Sequence, residues 1–446
     1  MKRTMSRSII ELVLAVAFLL GLGVLCFKYF TDSDMWASQT YNLHLQHGGG
    51  LKSAGTITDR NGVVLAKSEG GVRIYNEDYS TRVSTLHAVG DESYNIATAL
   101  QTSFRAELAG HTKTFGYGLP ESIKPRGDMS LTLDANTCAA VYNEFAGRKG
   151  ACIVYNYKTG EVLCMVSTPS YDPQNVPETI PEGAYLNNVT SSTYAPGSIF
   201  KIVTTVAALE KGIDVDSLTF YCESKKDFGG DDVTCLDYHG EMNIYEAFAY
   251  SCNIAFADLA TQVGAEAMQK TAERLGITSS CKVGCVNTAK GFFDVKNANA
   301  NELAWSGIGQ YTDMVNPAQM AMLCGAIANG GEAKCPNYIG GAATGSTGRL
   351  MSKETADKMA EIMRYTISDY YGDSMFSGLT VGAKTGTAEV GGDKLPNGWM
   401  IGYSTDEGCP LAFAVVVEEG DYGFYSAGPI ARVAMLESAK ALGYIE

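Results

Sequence analysis

The sequence predicts an α+β fold: an antiparallel sheet flanked by helices, preceded by a small N-terminal domain and one transmembrane helix. Three observations lead to this prediction. A long apolar run lies near the N-terminus, β-prone segments lie at both ends of residues 128–446, and helical segments lie between them. With 446 residues, of which 46% are apolar, the chain is long enough for two or three folded units with a large core.

The apolar run extends from Leu12 to Phe27, and three basic residues precede it within the first seven positions. A helix needs about 20 apolar residues to cross the hydrocarbon core. No small-x-small cleavage motif follows before Lys28, so an uncleaved anchor is favoured over a signal peptide. The basic residues predict a cytoplasmic N-terminus. We therefore expect residues 1–30 to form a cytoplasmic tail and a transmembrane anchor.

Residues 31–127 are predicted to form a small extracytoplasmic domain that spaces or docks the rest of the chain. Two β-prone runs, 56–58 and 63–65, flank an Asp-Arg-Asn-Gly segment. Such runs around Asn-Gly are typical of a β-hairpin.

Residues 128–446 are predicted to form the main domain. A short strand at 131–133 leads to a helix that Asp134 caps and that runs through Phe145. Further strands are predicted at 151–155, 162–166, 379–387, 398–404 and 411–417, and helices at 198–211, 243–250, 255–275, 315–329, 352–369 and 430–442. Strands at both ends of a helical middle indicate one antiparallel sheet with helices on both faces.

Charge and cysteine content narrow the classes of function. A net charge of −15 argues against a nucleic-acid partner. Eleven of the twelve cysteines follow the anchor, and Cys222 with Cys235 is the best candidate for a disulfide, ahead of Cys281 with Cys285. The five histidines form no HExxH or similar cluster, so zinc is disfavoured and no metal site is expected.

The strongest chemical signal is Pro196-Gly197-Ser198-Ile199-Phe200-Lys201, which opens an apolar helix. Ser198 and Lys201 are three residues apart and share one helical face. The backbone N–H of Ser198 is unpaired at the helix N-terminus. The segment therefore offers a nucleophile, an amine to take its proton and one donor for an oxyanion. Burial among apolar neighbours would lower the pKa of the amine, as a base requires.

An S-x-x-K motif is weak evidence alone, since Ser279–Lys282 repeats it in a predicted loop. Two further motifs are Ser251-Cys252-Asn253, just after a helix that Asn243 and Glu246 could cap, and Lys384-Thr385-Gly386-Thr387, on an apolar strand. Each again has a second copy, at Ser93-Tyr94-Asn95 and at Lys158-Thr159-Gly160. One combination has the order S-x-x-K, S-x-N, K-T-G with each motif at the end of an element or a sheet edge. That set is typical of penicillin-binding proteins and class A β-lactamases.

The resemblance extends beyond these motifs. Gly55 to Ala66, Leu131 to Pro173 and Ile308 to Gly331 are similar to segments of class B (monofunctional) penicillin-binding proteins, and the short N-terminal region resembles the penicillin-binding protein A branch. Ala54 replaces the arginine usual before Gly55, and Asn397-Gly398-Trp399 stands where many relatives have a histidine-containing version.

The resemblance implies a serine-type D-Ala-D-Ala transpeptidase that cross-links peptidoglycan stem peptides, binds β-lactams covalently and needs no cofactor. It implies that Ser198 is the acylated nucleophile and Lys201 its base. Ser251 would relay the proton to the leaving group, Asn253 would hold Lys201 and the substrate amide, and Lys384 would anchor the electrostatics. The substrate-binding residues would be Thr385, Gly386 and Thr387, and Thr385 would bind the substrate carboxylate. The backbone N–H groups of Ser198 and Thr387 would form the oxyanion hole. A separate membrane glycan polymerase is the implied partner.

Other functions stay open at this point. A D,D-carboxypeptidase or β-lactamase would use the same acylation site with water as acceptor, but no E-x-x-L-N pattern follows Asn253 to supply a deacylating glutamate. A β-lactam receptor would need a cytoplasmic signalling segment, and the few residues before the apolar run are too short for one. A bifunctional enzyme is also disfavoured, because its glycosyltransferase domain would need more than about a hundred residues before the main domain. A scaffold that no longer acylates is disfavoured because every required side chain is present.

Overall fold

The computed structural model describes residues 2–37, 50–117, 119, 123 and 127–446. Helix α1 covers Lys2–Ala37, and its segment Arg7–Ser33 is long and apolar enough to cross a membrane. The large apolar side chains of this segment, such as Phe18 and Leu20, are exposed to the surroundings, as a helix that lies in lipid requires.

A four-stranded sheet follows in the order β3-β2-β1-β4. Its strands are β1 (Ile57–Thr58), β2 (Val64–Glu69), β3 (Val72–Tyr75) and β4 (Met129–Ser130). Strands β1 and β2 are antiparallel, so the predicted hairpin is confirmed. In its turn the Asp59 carboxylate accepts hydrogen bonds from the N–H groups of Asn61 and Val63, at 2.8 Å each, and of Ala135, at 3.1 Å. The turn is thereby tied to the next part of the chain.

Three helices complete the N-terminal region: α2 (Tyr79–Val89), α3 (Leu100–Ser103) and α4 (Arg105–Leu108). Helix α2 packs on α5 (Ala135–Phe145). Arg82 of α2 forms two hydrogen bonds to the Asp172 carboxylate, at 2.8 and 2.7 Å. The hydrophobic core runs from Ile57 and Leu65 into Leu131 and Val141 without interruption.

The domain limits 31–127 and 128–446 remain a prediction, because β1 pairs with β4 and the core crosses the boundary. Residues 38–49, 118, 120–122 and 124–126 of this region lie outside the described residues.

The main sheet has five antiparallel strands in the order β13-β14-β15-β5-β6. Its strands are β5 (Gly150–Asn156), β6 (Val162–Thr168), β13 (Val381–Ala388), β14 (Asn397–Ser404) and β15 (Leu411–Val417). Nearly every residue of these strands is buried, because helices cover both faces. Helices α5 and α14 (Gly423–Ala441) pack together on one face, and α12 (Pro317–Ala328) and α13 (Lys353–Tyr365) pack on the other. The predicted sheet with its flanking helices is confirmed.

The remaining elements follow in chain order. The helices are α6 (Asn188–Ser191), α7 (Lys201–Glu210), α8 (Ile244–Ala249), α9 (Asn253–Val263), α10 (Ala265–Arg274), α11 (Ala300–Gly307), α12 (Pro317–Ala328), α13 (Lys353–Tyr365) and α14 (Gly423–Ala441). The short strands are β7 (Phe220–Cys222), β8 (Lys225–Lys226), β9 (Val233–Thr234), β10 (Gly240–Met242), β11 (Lys282–Val283) and β12 (Val286–Asn287).

Four predicted boundaries were wrong. The helix predicted at 255–275 is two helices, because Gly264 at φ +81° breaks it. The last helix, predicted to begin at Ile430, begins at Gly423, because Pro429, a residue tolerated mainly in the first turn of a helix, lies inside it. Helix α13 ends at Tyr365 and a single π-helical turn continues to residue 371. The strand predicted at 131–133 lies two residues earlier, as β4.

Neither of the two candidate disulfides is present in the structure. All twelve cysteines lie in the described residues, and each is a free thiol. The Sγ atom of Cys281 contacts Thr288 Oγ1 at 3.3 Å, and that of Cys285 contacts Tyr338 OH at 3.1 Å. Cys235 lies instead beside Cys252, with 3.9 Å between their sulfurs.

Candidate active site

Ser198 lies in a single 3₁₀ turn, residues 197–200, that leads directly into α7. The side chains of Ser198 and Lys201 meet on one face, as predicted, with 3.0 Å between Oγ and Nζ. Gly197 has φ +53°, and a Cβ at this position would lie 2.3 Å from the carbonyl oxygen of Thr387. Only glycine allows this contact. The turn is therefore held against β13, and Ser198 lies next to the last predicted motif.

The Lys201 amine is wholly buried and has four polar neighbours. Besides Ser198 Oγ, Nζ lies 2.5 Å from the carbonyl oxygen of Ser251, 3.1 Å from Ser251 Oγ and 2.8 Å from Asn253 Oδ1. Two of these atoms, the carbonyl oxygen and Oδ1, are acceptors only. They match the two N–H bonds of a neutral amine, and its lone pair is then left to accept a proton from a hydroxyl.

The environment favours that neutral form. Burial lowers the pKa of Lys201 to about 8, against the opposing effect of the Cys252 and Cys235 sulfurs. A base with a pKa near the working pH combines a useful neutral fraction with enough basicity to take a proton.

The second motif forms the junction between α8 and α9. Asn243 and Glu246 form a capping box at the start of α8, as predicted, and the chain then turns through Ser251 at φ +57°. Such a left-handed conformation is costly for serine and persists where the surroundings fix it. Here it directs both the carbonyl oxygen and Oγ of Ser251 at Lys201.

Lys384 completes the group from β13. Its side chain is wholly buried, and Nζ lies 3.1 Å from Ser251 Oγ and 3.0 Å from the carbonyl oxygen of Thr385. Burial lowers the pKa of Lys384 well below its usual value, and the positive charge of Lys201 lowers it further. The Ser251 hydroxyl thus bridges two amines and is placed to pass a proton.

Sequence reasoning missed Tyr371. Its hydroxyl lies 2.7 Å from Thr385 Oγ1, and its ring stacks on Phe424 with centroids 4.7 Å apart. The contact fixes the side chain of Thr385 next to Lys384. Nothing in the sequence around Tyr371 signals it, because it lies in the π turn after α13 and reaches β13 only in the folded chain.

The second copies of the motifs lie elsewhere. Lys282 is exposed on β11, and the carbonyl oxygen of Ser279 accepts a hydrogen bond from Gln319. Lys158-Thr159-Gly160 forms the turn between β5 and β6, where Asn156 Oδ1 binds two backbone N–H groups. The structure therefore brings together the predicted combination of three motifs; the role of each residue remains a prediction.

Known proteins are similar to this chain over most of its length. The profile of the penicillin binding protein transpeptidase domain family matches residues 150–436. Peptidoglycan D,D-transpeptidase PbpA of Mycobacterium tuberculosis is 30% identical over 333 residues, 65% of this chain and 67% of the relative. PbpA of Mycolicibacterium smegmatis is 28% identical over 396 residues, 78% of this chain and 79% of the relative.

A solved structure gives the same relationship. Penicillin-binding protein A from M. tuberculosis, as its ceftriaxone acyl-enzyme complex, superposes with a TM-score of 0.76 at 25% identity and covers 87% of this chain and 98% of its own.

Proposed function

We propose, from the premise that this chain belongs to the penicillin-binding protein transpeptidase family, that Ser198 is the acylated nucleophile of a peptidoglycan D,D-transpeptidase. The observation that carries the assignment is the position of the buried Lys201 amine, within hydrogen-bonding distance of Ser198, Ser251 and Asn253. That arrangement supports one proton path from nucleophile to leaving group.

In the acylation step Lys201 Nζ takes the proton of Ser198 Oγ, which attacks the carbonyl of the penultimate D-Ala of a stem peptide. The oxyanion that forms is bound by the backbone N–H groups of Ser198 and Thr387. The C–N bond then breaks, and the proton passes from Lys201 through the Ser251 hydroxyl to the departing D-Ala amine. Enzyme and substrate are left joined as an ester.

In the second step an amine of a neighbouring stem peptide attacks this ester. Its proton returns along the same path, Ser251 to Lys201 to Ser198, as the ester bond breaks and the cross-link forms. Asn253, whose Oδ1 lies 2.8 Å from Nζ, holds the Lys201 amine, and Thr385 binds the terminal carboxylate of the donor. A β-lactam enters the first step as the donor does, and its opened ring remains on Ser198.

The experiment that tests the assignment is covalent labelling of the purified full chain in detergent with a fluorescent penicillin. We expect one stable adduct on Ser198, located by peptide mass, which Ser198→Ala abolishes. Ser279→Ala is the matched control, since it removes the serine of the second S-x-x-K motif, and it should label as the native chain does. A label that survives Ser198→Ala would overturn the assignment, and rapid loss of the label would favour a hydrolase.

We also infer a single-pass topology with a cytoplasmic N-terminus, from the basic residues before the apolar part of α1. Cysteine-accessibility labelling of intact cells tests it: a cysteine introduced at Ser6 should be protected and one at Glu407 should react. The reverse pattern would overturn the orientation.

A membrane glycan polymerase is the proposed partner, because the family resemblance implies one and the chain carries its own anchor. Photo-crosslinking in cells from the exposed position of Lys67 on β2 should trap a polytopic membrane protein. Capture of peptidoglycan alone would contradict the proposal.

A further inference from the structure

Three thiols and one imidazole converge beside the loop that carries Ser251 and Asn253. Cys222 lies on β7, Cys235 follows β9, His239 precedes β10, and Cys252 caps α9. One ligand atom from each of these four residues lies within 4.8 Å of every other. Two of the side chains are buried and two are half-buried, so the group is largely shielded from solvent.

The separations fit ligands around a shared ion. Cys235 Sγ lies 3.9 Å from Cys252 Sγ and 3.5 Å from His239 Nδ1. A tetrahedral zinc ion, with Zn–S of about 2.3 Å and Zn–N of about 2.0 Å, holds two sulfurs about 3.8 Å apart and a sulfur and a nitrogen about 3.5 Å apart. A disulfide instead needs about 2.0 Å between its sulfurs.

We propose that Cys222, Cys235, His239 and Cys252 bind one structural zinc ion that fastens residues 220–242 to the catalytic loop. Three thiolates and an imidazole form one of the closed ligand sets of structural zinc, which leaves no position for a reacting water. Thiolates also select against Ca²⁺ and Mg²⁺, which prefer oxygen. The ion is therefore assigned to structure and positioning.

Residues 220–242 form little regular structure, and their other contacts with the fold are an ion pair between Lys226 and Asp258, a hydrogen bond from Asn301 to the carbonyl oxygen of Asp231 and a few buried side chains. The segment contains only strands of two or three residues, paired as β7 with β10 and β8 with β9. Phe220, Val233 and Met242 are buried in the core, whereas Tyr221, Leu236 and Tyr238 are exposed, so apolar packing fixes only part of the segment. Strands this short bury too little surface to fix their own geometry, and small units of this kind commonly depend on a metal or a disulfide.

The site is joined to the catalytic machinery through Asn253. The backbone N–H of Asn253 donates to Cys235 Sγ at 3.4 Å, and its Nδ2 donates to the carbonyl oxygen of Thr234 at 2.8 Å. The other end of the same amide, Oδ1, accepts from Lys201. N–H···S bonds of this kind stabilise thiolate ligands. The four ligands thus act as positioning residues for Asn253 and, through it, for Lys201.

The sequence disfavoured zinc because its histidines form no local cluster. The ligands here are spread between positions 222 and 252 on separate elements, and one of them is the middle residue of the S-x-N motif. They meet only because the 220–242 segment folds back on the N-terminus of α9.

The first test is the metal content of the full chain, expressed in zinc-containing medium and purified in detergent without a metal-chelate column. We expect about one zinc per chain by mass spectrometry, and an X-ray absorption shell of three sulfurs and one nitrogen. His239→Ala and Cys222→Ser should each lower zinc content or affinity about tenfold or more, whereas Cys281→Ser, at another half-buried cysteine, should keep it.

Three results would overturn zinc binding: native protein with negligible zinc, unchanged zinc in both ligand variants, or a Cys235–Cys252 disulfide in the unreduced native chain. The first and third need no variant, so they decide the matter even if the variants do not fold.

The second test separates positioning from folding. His239→Ala should lower the rate of labelling by fluorescent penicillin about tenfold, and His239→Cys, which retains four ligands, should restore both zinc and labelling. Unchanged labelling in a zinc-free His239→Ala chain would refute the positioning role. Because zinc is measured independently of acylation, loss of labelling in the native chain would count against Ser198 as nucleophile and leave the metal site intact.

Discussion

Replacing Lys201 by methionine separates the chemical role of its amine from its structural one. Methionine fills a similar volume in a site that is wholly buried. Within the described part of the chain, it removes the only hydrogen-bonding partner of Ser198 Oγ, the Nζ atom at 3.0 Å. We expect acylation by penicillin to fall by about 10²–10⁴-fold, the contribution of a positioned base.

The effect on stability should be small by comparison. Holding the ammonium in this site costs about 3 kcal/mol at pH 7, from a pKa lowered from 10.5 to about 8. Methionine removes that cost, but it leaves the carbonyl oxygen of Ser251 and Asn253 Oδ1 without their partner, at about 1–3 kcal/mol each. The opposing effects leave a net change of no more than about 3 kcal/mol.

The assay compares two quantities in the same protein: the second-order rate constant of fluorescent penicillin labelling and the free energy of unfolding in urea. Lys211→Met is the matched control, because Lys211 ends the same helix and binds the carbonyl oxygens of Gln262 and Val263. Labelling of Lys201→Met within tenfold of the native rate, in a chain of near-native stability, would refute the assignment of the base.

Three further predictions concern pH, the helix α2 contact and the missed tyrosine. Because Lys201 must be neutral to accept a proton and has a pKa of about 8, the rate of penicillin labelling should rise about tenfold between pH 7 and 9. A rate that does not change with pH would contradict this. The other titratable groups that face Lys201 are Lys384, Cys235 and Cys252. Burial raises the pKa of Asp172, but hydrogen bonds led by that of Arg82 outweigh this effect and hold the pKa at about 2. Arg82→Ala should therefore lower the free energy of unfolding, measured in urea at pH 7, by about 2 kcal/mol. Since a depressed carboxyl pKa stabilises the fold above pH 4, that cost should shrink as the pH falls towards 2, and a cost independent of pH would refute the ion pair as its cause. Tyr371→Phe keeps the ring stacking on Phe424 and removes the 2.7 Å contact to Thr385. The rate of labelling should fall about fivefold, which is equivalent to the loss of one hydrogen bond. An unchanged rate would show that Tyr371 does not need to orient Thr385.

The sequence by itself determined the elements whose signals are local. The apolar run of α1, the Asn-Gly hairpin and the uninterrupted apolar strands of the main sheet are properties of neighbouring residues, and each lies where it was predicted. The order of the three motifs indicated the family in the same way. Errors arose where one residue overrides a pattern, as Gly264 does in breaking a helix whose apolar periodicity continues past it.

Tertiary structure alone decided which side chains meet. Three decoys, one each of S-x-x-K, S-x-N and K-T-G, have the right letters. Only the fold places the amines of Lys201 and Lys384 around the Ser251 hydroxyl and lowers both amine pKa values through burial. The contact of Tyr371 with Thr385 and the meeting of Cys222 with Cys252 likewise join residues from separate elements. Distances between such residues depend on how helices pack on the sheet, and no periodicity within a single element carries that information.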